Sequence, residues 1–199
     1  FFVGKYGSNS VVIVKSGIGK VNAAACTQVL IDHFAVDCVI NVGVAGAIYK
    51  ELKIGDVVIS TDTVQHDMDV SALGDPIGTI PRLEESFFKA DEELIALAEE
   101  VGEYLEGHNV YKGRIASGDQ FISSVEKKNF IWNNFKAYCA EMEGAAIAHV
   151  CYLNRIPFVV IRSISDNADG DAEMSYNEFT KVAAQNSSVI LEEMLKRIV

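Results

Sequence analysis

Proline is scarce in this 199-residue chain, at three residues, and no Gly/Ser-rich linker, charge block or internal repeat interrupts it. No domain boundary is therefore drawn, and residues 1–199 read as one domain of ordinary size. Cysteine is also sparse. Cys26, Cys38, Cys139 and Cys151 stand far apart in apolar stretches without a C-x-x-C, and no histidine completes a zinc set. A disulfide framework and a zinc module are both excluded, leaving buried reduced thiols. No apolar run approaches the roughly 18 residues that cross a bilayer, and Phe1-Phe2-Val3-Gly4-Lys5 lacks the order of a signal peptide. Basic charge is the last shortage. Seventeen Lys and Arg face 28 Asp and Glu, for a net charge of -11, a field that repels nucleic acid and anionic membranes. The expectation is a soluble, cytoplasmic protein with neither as a partner.

What is present is core. Hydrophobic residues make up 49% of the chain, and short β-branched runs alternate with longer helical patterns, the mark of βαβ units. Strands are predicted at Val11–Lys15, Cys38–Val42, Asp56–Ser60, Val110–Ala116, Tyr138–Glu141 and Phe158–Ser163. Helices are predicted at Lys20–Phe34, Asp91–Leu105, Val125–Asn134, Gly144–Leu153 and Tyr176–Ile198. Ser175 with Glu178 reads as a capping box opening the last of these. The fold class that follows is α/β: a single-domain, three-layer fold whose central mixed, largely parallel sheet is flanked by helices. Val64–Glu85 has no period, and a long loop in a small domain is often functional.

Ligands of open α/β sheets gather beyond strand ends. Four such ends carry Gly or polar clusters: Asn41–Gly46, Ser117–Phe121, Glu141–Gly144 and Ser163–Asn167. Ser16-Gly17-Ile18-Gly19-Lys20 follows a strand but fits neither the Walker loop nor the dinucleotide fingerprint, so a tight turn and an anion site stay equally open. Glu141 and Glu143, two apart, put both carboxylates on one face of an extended backbone, or else supply charge to a helix N-terminus. Asp166 ends an apolar strand and reads as a partly desolvated acid able to donate a proton, or as a turn cap. His66-Asp67-Met68-Asp69 has no second ligand cluster, so no metal is expected, and His149 on an apolar helix face reads as a hydrogen-bonded core histidine. No Gly-x-Ser-x-Gly elbow supports a serine triad.

Together Ser16–Asn22, Asn41–Gly46, Gly55–Val58, His66–Val70, Ser117–Ile122, Glu141–Ala148 and Arg162–Ala168 resemble, in order, the motifs of the bacterial 5'-methylthioadenosine/S-adenosylhomocysteine nucleosidases, of the purine nucleoside phosphorylase superfamily. The resemblance implies a nucleoside phosphorylase-like fold and hydrolysis of the N-glycosidic bond, releasing adenine and the thioribose product. It implies that Asp166 protonates adenine N7, with Ser165 orienting it. Glu143 holds the ribose hydroxyls, with Met142 under the sugar. Phe121 stacks on adenine, and the backbone of Ile122 reads its edge. Arg162 lies near the attacking water, Tyr176 lines the 5'-alkylthio pocket, and Glu141, Val44, Ala45 and Gly46 join the substrate-binding set. No cofactor is implied. The small-molecule partner is an adenosine thioether, and the assembly a homodimer whose 64–80 loop reaches the partner's site.

Superfamily phosphorylases clamp phosphate with arginines, one just before the glycine equivalent to Gly43; here Asn41 and Val42 precede it, and the chain has only five arginines. That points to water as nucleophile. Val44 replaces the family's usual Ser, and Ser71–Asp75 lacks its usual aromatics. The family's first strand, with the general-base glutamate, is expected upstream of Phe1. The alternatives are a purine nucleoside phosphorylase, a related nucleoside hydrolase, and a catalytically inactive ligand-binding or storage homologue.

Overall fold

The computed structural model describes residues 1–198. Its first element is a hairpin of β1 (Phe2–Tyr6) and β2 (Asn9–Ile13), joined through Gly7-Ser8 with Gly7 at φ +60°. A two-residue turn containing glycine matches the twist of an antiparallel pair. The expected strand Val11–Lys15 thus lies in a separate two-stranded sheet among the described residues, not in the central one.

The central sheet contains β3 (Val39–Ala47), β4 (Val57–Gln65), β5 (Phe87–Lys89), β6 (Val110–Ser117), β7 (Cys139–Glu141) and β8 (Phe158–Asp166). It runs in the order β5-β4-β6-β7-β3-β8, and β8 also pairs with β4, closing the strands into a ring. The two longest pairings, β4–β6 and β3–β8, are parallel, as is β6–β7, while β3–β7, β4–β8 and β4–β5 are antiparallel. The mixed sheet expected from the alternating pattern is borne out. Every residue of β8 is buried, the consequence of a strand covered on both faces by its apolar run.

Helices α1 (Lys20–Phe34) and α4 (Gly144–Asn154) pack together, and α5 (Ala172–Arg197) lies on β8 and β3. α2 (Glu92–Gly102) and α3 (Val125–Phe135) begin at capping side chains, Asp91 accepting from the Glu93 and Leu94 amides and Ser124 from that of Lys127. Each cap satisfies amides that the first helical turn leaves unpaired. The last helix departs from expectation. It starts at Ala172, with Asp171 as N-cap and the Ser175 amide already bonded to the Asp171 carbonyl at 3.1 Å. Ser175 therefore lies inside the helix and no capping box forms there; burial of Ala172 against the core sets the earlier start. Residues 66–86 hold only a short 3-10 turn at Ser71–Leu73.

Candidate active site

The site lies along the seam between β3, β7 and β8. Because β3 and β8 run opposite to β6 and β7, the strand ends singled out above do not share one edge of the sheet. Gly46 is their common neighbour, pairing with Ala140 of β7 and Asp166 of β8.

At that junction Asp166 is buried, its Oδ2 accepting from the Ser165 hydroxyl at 2.9 Å and its Oδ1 from the Ala168 amide at 2.9 Å. Burial pushes its carboxyl above the usual range, with Asp169 adding to the rise against the pull of these two donors and Lys128. Both readings of Asp166 hold together: it closes a turn and it is a desolvated acid. Room for it comes from glycine, since a Cβ at Gly46 would lie 2.7 Å from Asp166 Oδ1. Ser165 also reaches the Ala45 carbonyl at 3.4 Å.

Glu141 is fully enclosed. Its Oε1 takes the Ser117 hydroxyl and the Gly144 amide, while Oε2 takes the amides of Glu143 and Gly144 and two nitrogens of Arg162, the nearer at 2.5 Å. Burial alone would raise this carboxyl; Arg162, Ser117 and the Gly144 amide outweigh it and hold the group below the usual range. Arg162 is buried with it and also donates to Asn41 at 2.6 Å. A Cβ at Gly43 would lie 2.9 Å from the guanidinium, so this strand glycine makes its passage. Both of Glu141's oxygens are therefore engaged by protein groups. The helix-terminal reading of this carboxylate is the one the geometry carries, since it caps α4.

Glu143 does not continue the strand. It is the N-cap of α4 at ψ −40°, so the extended-backbone spacing ends at Glu141. Its Oε1 accepts from the Gly19 amide at 2.9 Å and its Oε2 lies 3.9 Å from Arg162. Burial and the neighbouring Glu141 charge push its carboxyl up, and the Gly19 amide opposes them. Gly17 and Gly19 have φ of +87° and +91°, as a tight strand-to-helix turn requires. The anions at this turn are the protein's own: Glu143 on Gly19, and Asp119 on the Lys20 amide at 2.8 Å.

Phe121, 46% exposed, meets Tyr176 edge-on at 5.6 Å, and Ile122 beside it is buried. Met142 and Val44 are partly buried. Ile122 and Gln120 also line a neighbouring cavity of about 450 Å³ with His66 and Lys127. Asp67 pairs with Lys20 at 2.7 Å. His149 contacts Gln65 at 3.3 Å and stacks on Phe88, and burial lowers its basicity. The cysteines are free; burial pushes the Cys151 thiol up to about 12 and that of Cys139 higher still. The sequence motifs give Ser117, Asn41 and Asp119 no role of their own, and only the strand glycines Gly43 and Gly46 signal that side chains from elsewhere approach there.

Residues 1–196 match the phosphorylase superfamily. A 5'-methylthioadenosine/S-adenosylhomocysteine nucleosidase of Actinobacillus succinogenes is 47% identical over 198 residues, 99% of this chain and 85% of that protein. This chain belongs to that nucleosidase family. Among solved structures, the nucleosidase of Neisseria meningitidis in complex with methylthio-immucillin-A superposes with a TM-score of 0.95 at 45% identity, over 98% of this chain and 85% of that one. A futalosine hydrolase of Helicobacter pylori superposes at 0.94 with 42% identity, over 98% and 83%. The nucleosidase resemblance carried by the motifs is thus borne out, and so is the fold it implied.

Proposed function

We propose that this nucleosidase-family chain hydrolyses the N-glycosidic bond of 5'-methylthioadenosine and S-adenosylhomocysteine. The observation that carries the reading is Asp166: buried, tied to Ser165, its carboxyl pushed above the ordinary range by burial, and seated in space left by Gly46. As the bond between C1' and N9 breaks, its electron pair goes to adenine, and Asp166 gives its proton to N7. Water adds to C1' and releases a proton to solvent, from which Asp166 is reprotonated, so each turnover consumes one water and no net proton. General acid catalysis of this kind contributes typically ~10²–10⁴ in rate. Glu143 holds the ribose hydroxyls, and its charge favours the cationic sugar of the transition state. Phe121 stacks on the base, which the Ile122 backbone reads, and Met142, Tyr176, Val44, Ala45 and Gly46 line the sugar and the 5' group. Arg162, bound to Glu141, steers the water through its remaining donor capacity.

The charge balance supports water over phosphate. Arg162 is already neutralised by Glu141, and Glu143 adds a second carboxylate, so a phosphate dianion would meet net negative charge. We further propose a cytoplasmic homodimer in which the 64–80 loop reaches the partner's site.

The test is adenine release from 5'-methylthioadenosine, followed by chromatography with and without phosphate. Release independent of phosphate is expected; no release sinks the proposal, and dependence on phosphate assigns a phosphorylase instead. The likeness to a futalosine hydrolase supports one second reading, a related nucleoside hydrolase, for which futalosine as substrate in the same assay decides.

A further inference from the structure

We infer that Lys20, Asp67 and Asp119 are positioning residues: a closed ring of hydrogen bonds among them seats the Ser16–Lys20 turn so that the Gly19 amide orients Glu143. The inference rests on the ribose role proposed for Glu143.

The ring can be followed atom by atom. Lys20 Nζ donates to Asp67 Oδ1 at 2.7 Å and to Gln65 Oε1 at 3.1 Å. Asp67 Oδ2 accepts from the Asp119 amide at 2.9 Å, and Asp119 Oδ1 accepts from the Lys20 amide at 2.8 Å, closing the circuit. Three chain segments meet in it: the turn before α1, the end of β4, and the loop after β6 that continues to Phe121. An exposed ion pair contributes little to anything, but the Lys20 and Asp67 side chains are only 19% and 15% exposed. The fit at the turn is close. A Cβ at Gly19 would lie 3.0 Å from Asp119 Oδ1 in a backbone conformation that side chains disfavour.

Gly19 is the link to the site, because its amide, 2.9 Å from Glu143 Oε1, is the neutral donor that fixes this carboxylate. The charged groups facing Glu143 are Glu141 from β7, Arg162 from β8 and Asp119 from the loop after β6. Two of the three are negative, and the arginine is 3.9 Å away and already paired. If the turn drifts, the carboxylate loses its donor while burial and Glu141 keep acting on it. It then turns more freely and holds a proton to higher pH, and a protonated Glu143 accepts hydrogen bonds from the ribose poorly.

The test compares Asp119→Ala and Lys20→Met with Asp119→Asn, which keeps an acceptor for the Lys20 amide. The first two are expected to raise KM for 5'-methylthioadenosine about tenfold, the loss of one hydrogen bond to a charged group, with a smaller change in kcat. The acid limb of kcat/KM against pH moves to higher pH in Lys20→Met and by less in Asp119→Ala, where the Asp119 charge that also raises Glu143 is gone, while Asp119→Asn keeps KM close to wild type with an acid limb no higher. An unchanged KM and an unmoved acid limb, whatever happens to Tm, would overturn the inference, as would Asp119→Asn behaving like Asp119→Ala. Should Asp119→Ala not fold, Lys20→Met decides alone. A wild-type protein that releases no adenine overturns the proposed activity itself, which separates that failure from failure of the ring.

Discussion

Replacing Arg162 by Met keeps the apolar stem and the length of the side chain but removes the one positive charge bonded to Glu141 among the described residues. Both side chains of the pair are 2% exposed. In the variant Glu141 keeps the Ser117 hydroxyl and the amides of Glu143 and Gly144, all neutral donors, and loses its counter-charge. Breaking a buried pair in this way costs about 3–5 kcal/mol, a large share of the roughly 5–15 kcal/mol that holds a domain folded. The pH dependence gives the reasoning a second check. In the wild type Glu141 is held below the usual range, so its contribution is present above its unfolded pKa and is lost as pH falls through the folded value. Without Arg162, burial, the largest influence on this group, pushes it up. The native variant then binds a proton more readily than the unfolded chain, and its penalty is relieved in acid. Urea unfolding followed by circular dichroism should show a loss of about 3–5 kcal/mol near neutral pH that shrinks as pH falls through the range of an unfolded glutamate, about 4.3. Arg162→Met with Glu141→Gln should lose less than the sum of the two single changes, because the stranded charge is gone. A loss under about 1 kcal/mol at neutral pH, or one that grows in acid, would refute this account of the pair.

Two further outcomes follow from the same seam. Asp166→Asn keeps an acceptor for the Ala168 amide but has no proton to give, so adenine release should fall by ~10²–10⁴ with substrate binding retained. Since a raised carboxyl costs stability above its folded pKa, the same variant should raise Tm at neutral pH more than at pH near 4, and equal shifts at both would count against a desolvated Asp166. Gly46→Ala brings a methyl to 2.7 Å from Asp166 Oδ1 and 3.0 Å from the Ala168 Cβ, so kcat should drop more than KM rises, at a stability cost of about 1–3 kcal/mol; wild-type kinetics would show that the carboxylate is not held there.

Much of the fold was legible because the signals were local. The sequence places α1 at its observed bounds, and α3 and α4 to within one residue of theirs, since a turn or capping residue, Gly19, Ser124 or Glu143, opens each and a helix-length run without Pro follows. The hairpin was missed although Gly7-Ser8 between two short β-branched or aromatic runs is a turn signal. The start of α5 was misplaced because Ser175 and Glu178 imitate a capping box, while the burial of Ala172 that sets the true start depends on tertiary packing. The site was legible only in part for the same reason. Asp166 and Glu143 announce themselves as carboxylates at the ends of apolar runs. That Glu141 is spent on Arg162 and α4, and that Asp119 caps a helix 99 residues earlier, follows from ring closure and antiparallel β3–β7 pairing, which one-dimensional patterns do not encode.

The helix termini bear on the choice of nucleophile beyond the count of arginines. A helix N-terminus presents free amides and a partial positive charge, and so is a ready site for phosphate. Two such termini flank this seam, and each carries a carboxylate of the chain itself. α4 receives Glu141 on the Gly144 amide, and α1 receives Asp119 on Lys20 while the preceding Gly19 holds Glu143. The amides of Gly19, Lys20 and Gly144 are thus committed to orienting protein groups. A phosphate entering would have to displace a covalently tethered carboxylate, whose effective concentration no free ion matches. Water needs no such vacancy. Under the proposed reaction the same arrangement leaves the Glu143 charge fixed beside the sugar, where positive charge develops as the glycosidic bond opens. The carboxylates that disfavour phosphate at these amides are therefore the ones that, under the proposed reaction, prepare the site for hydrolysis.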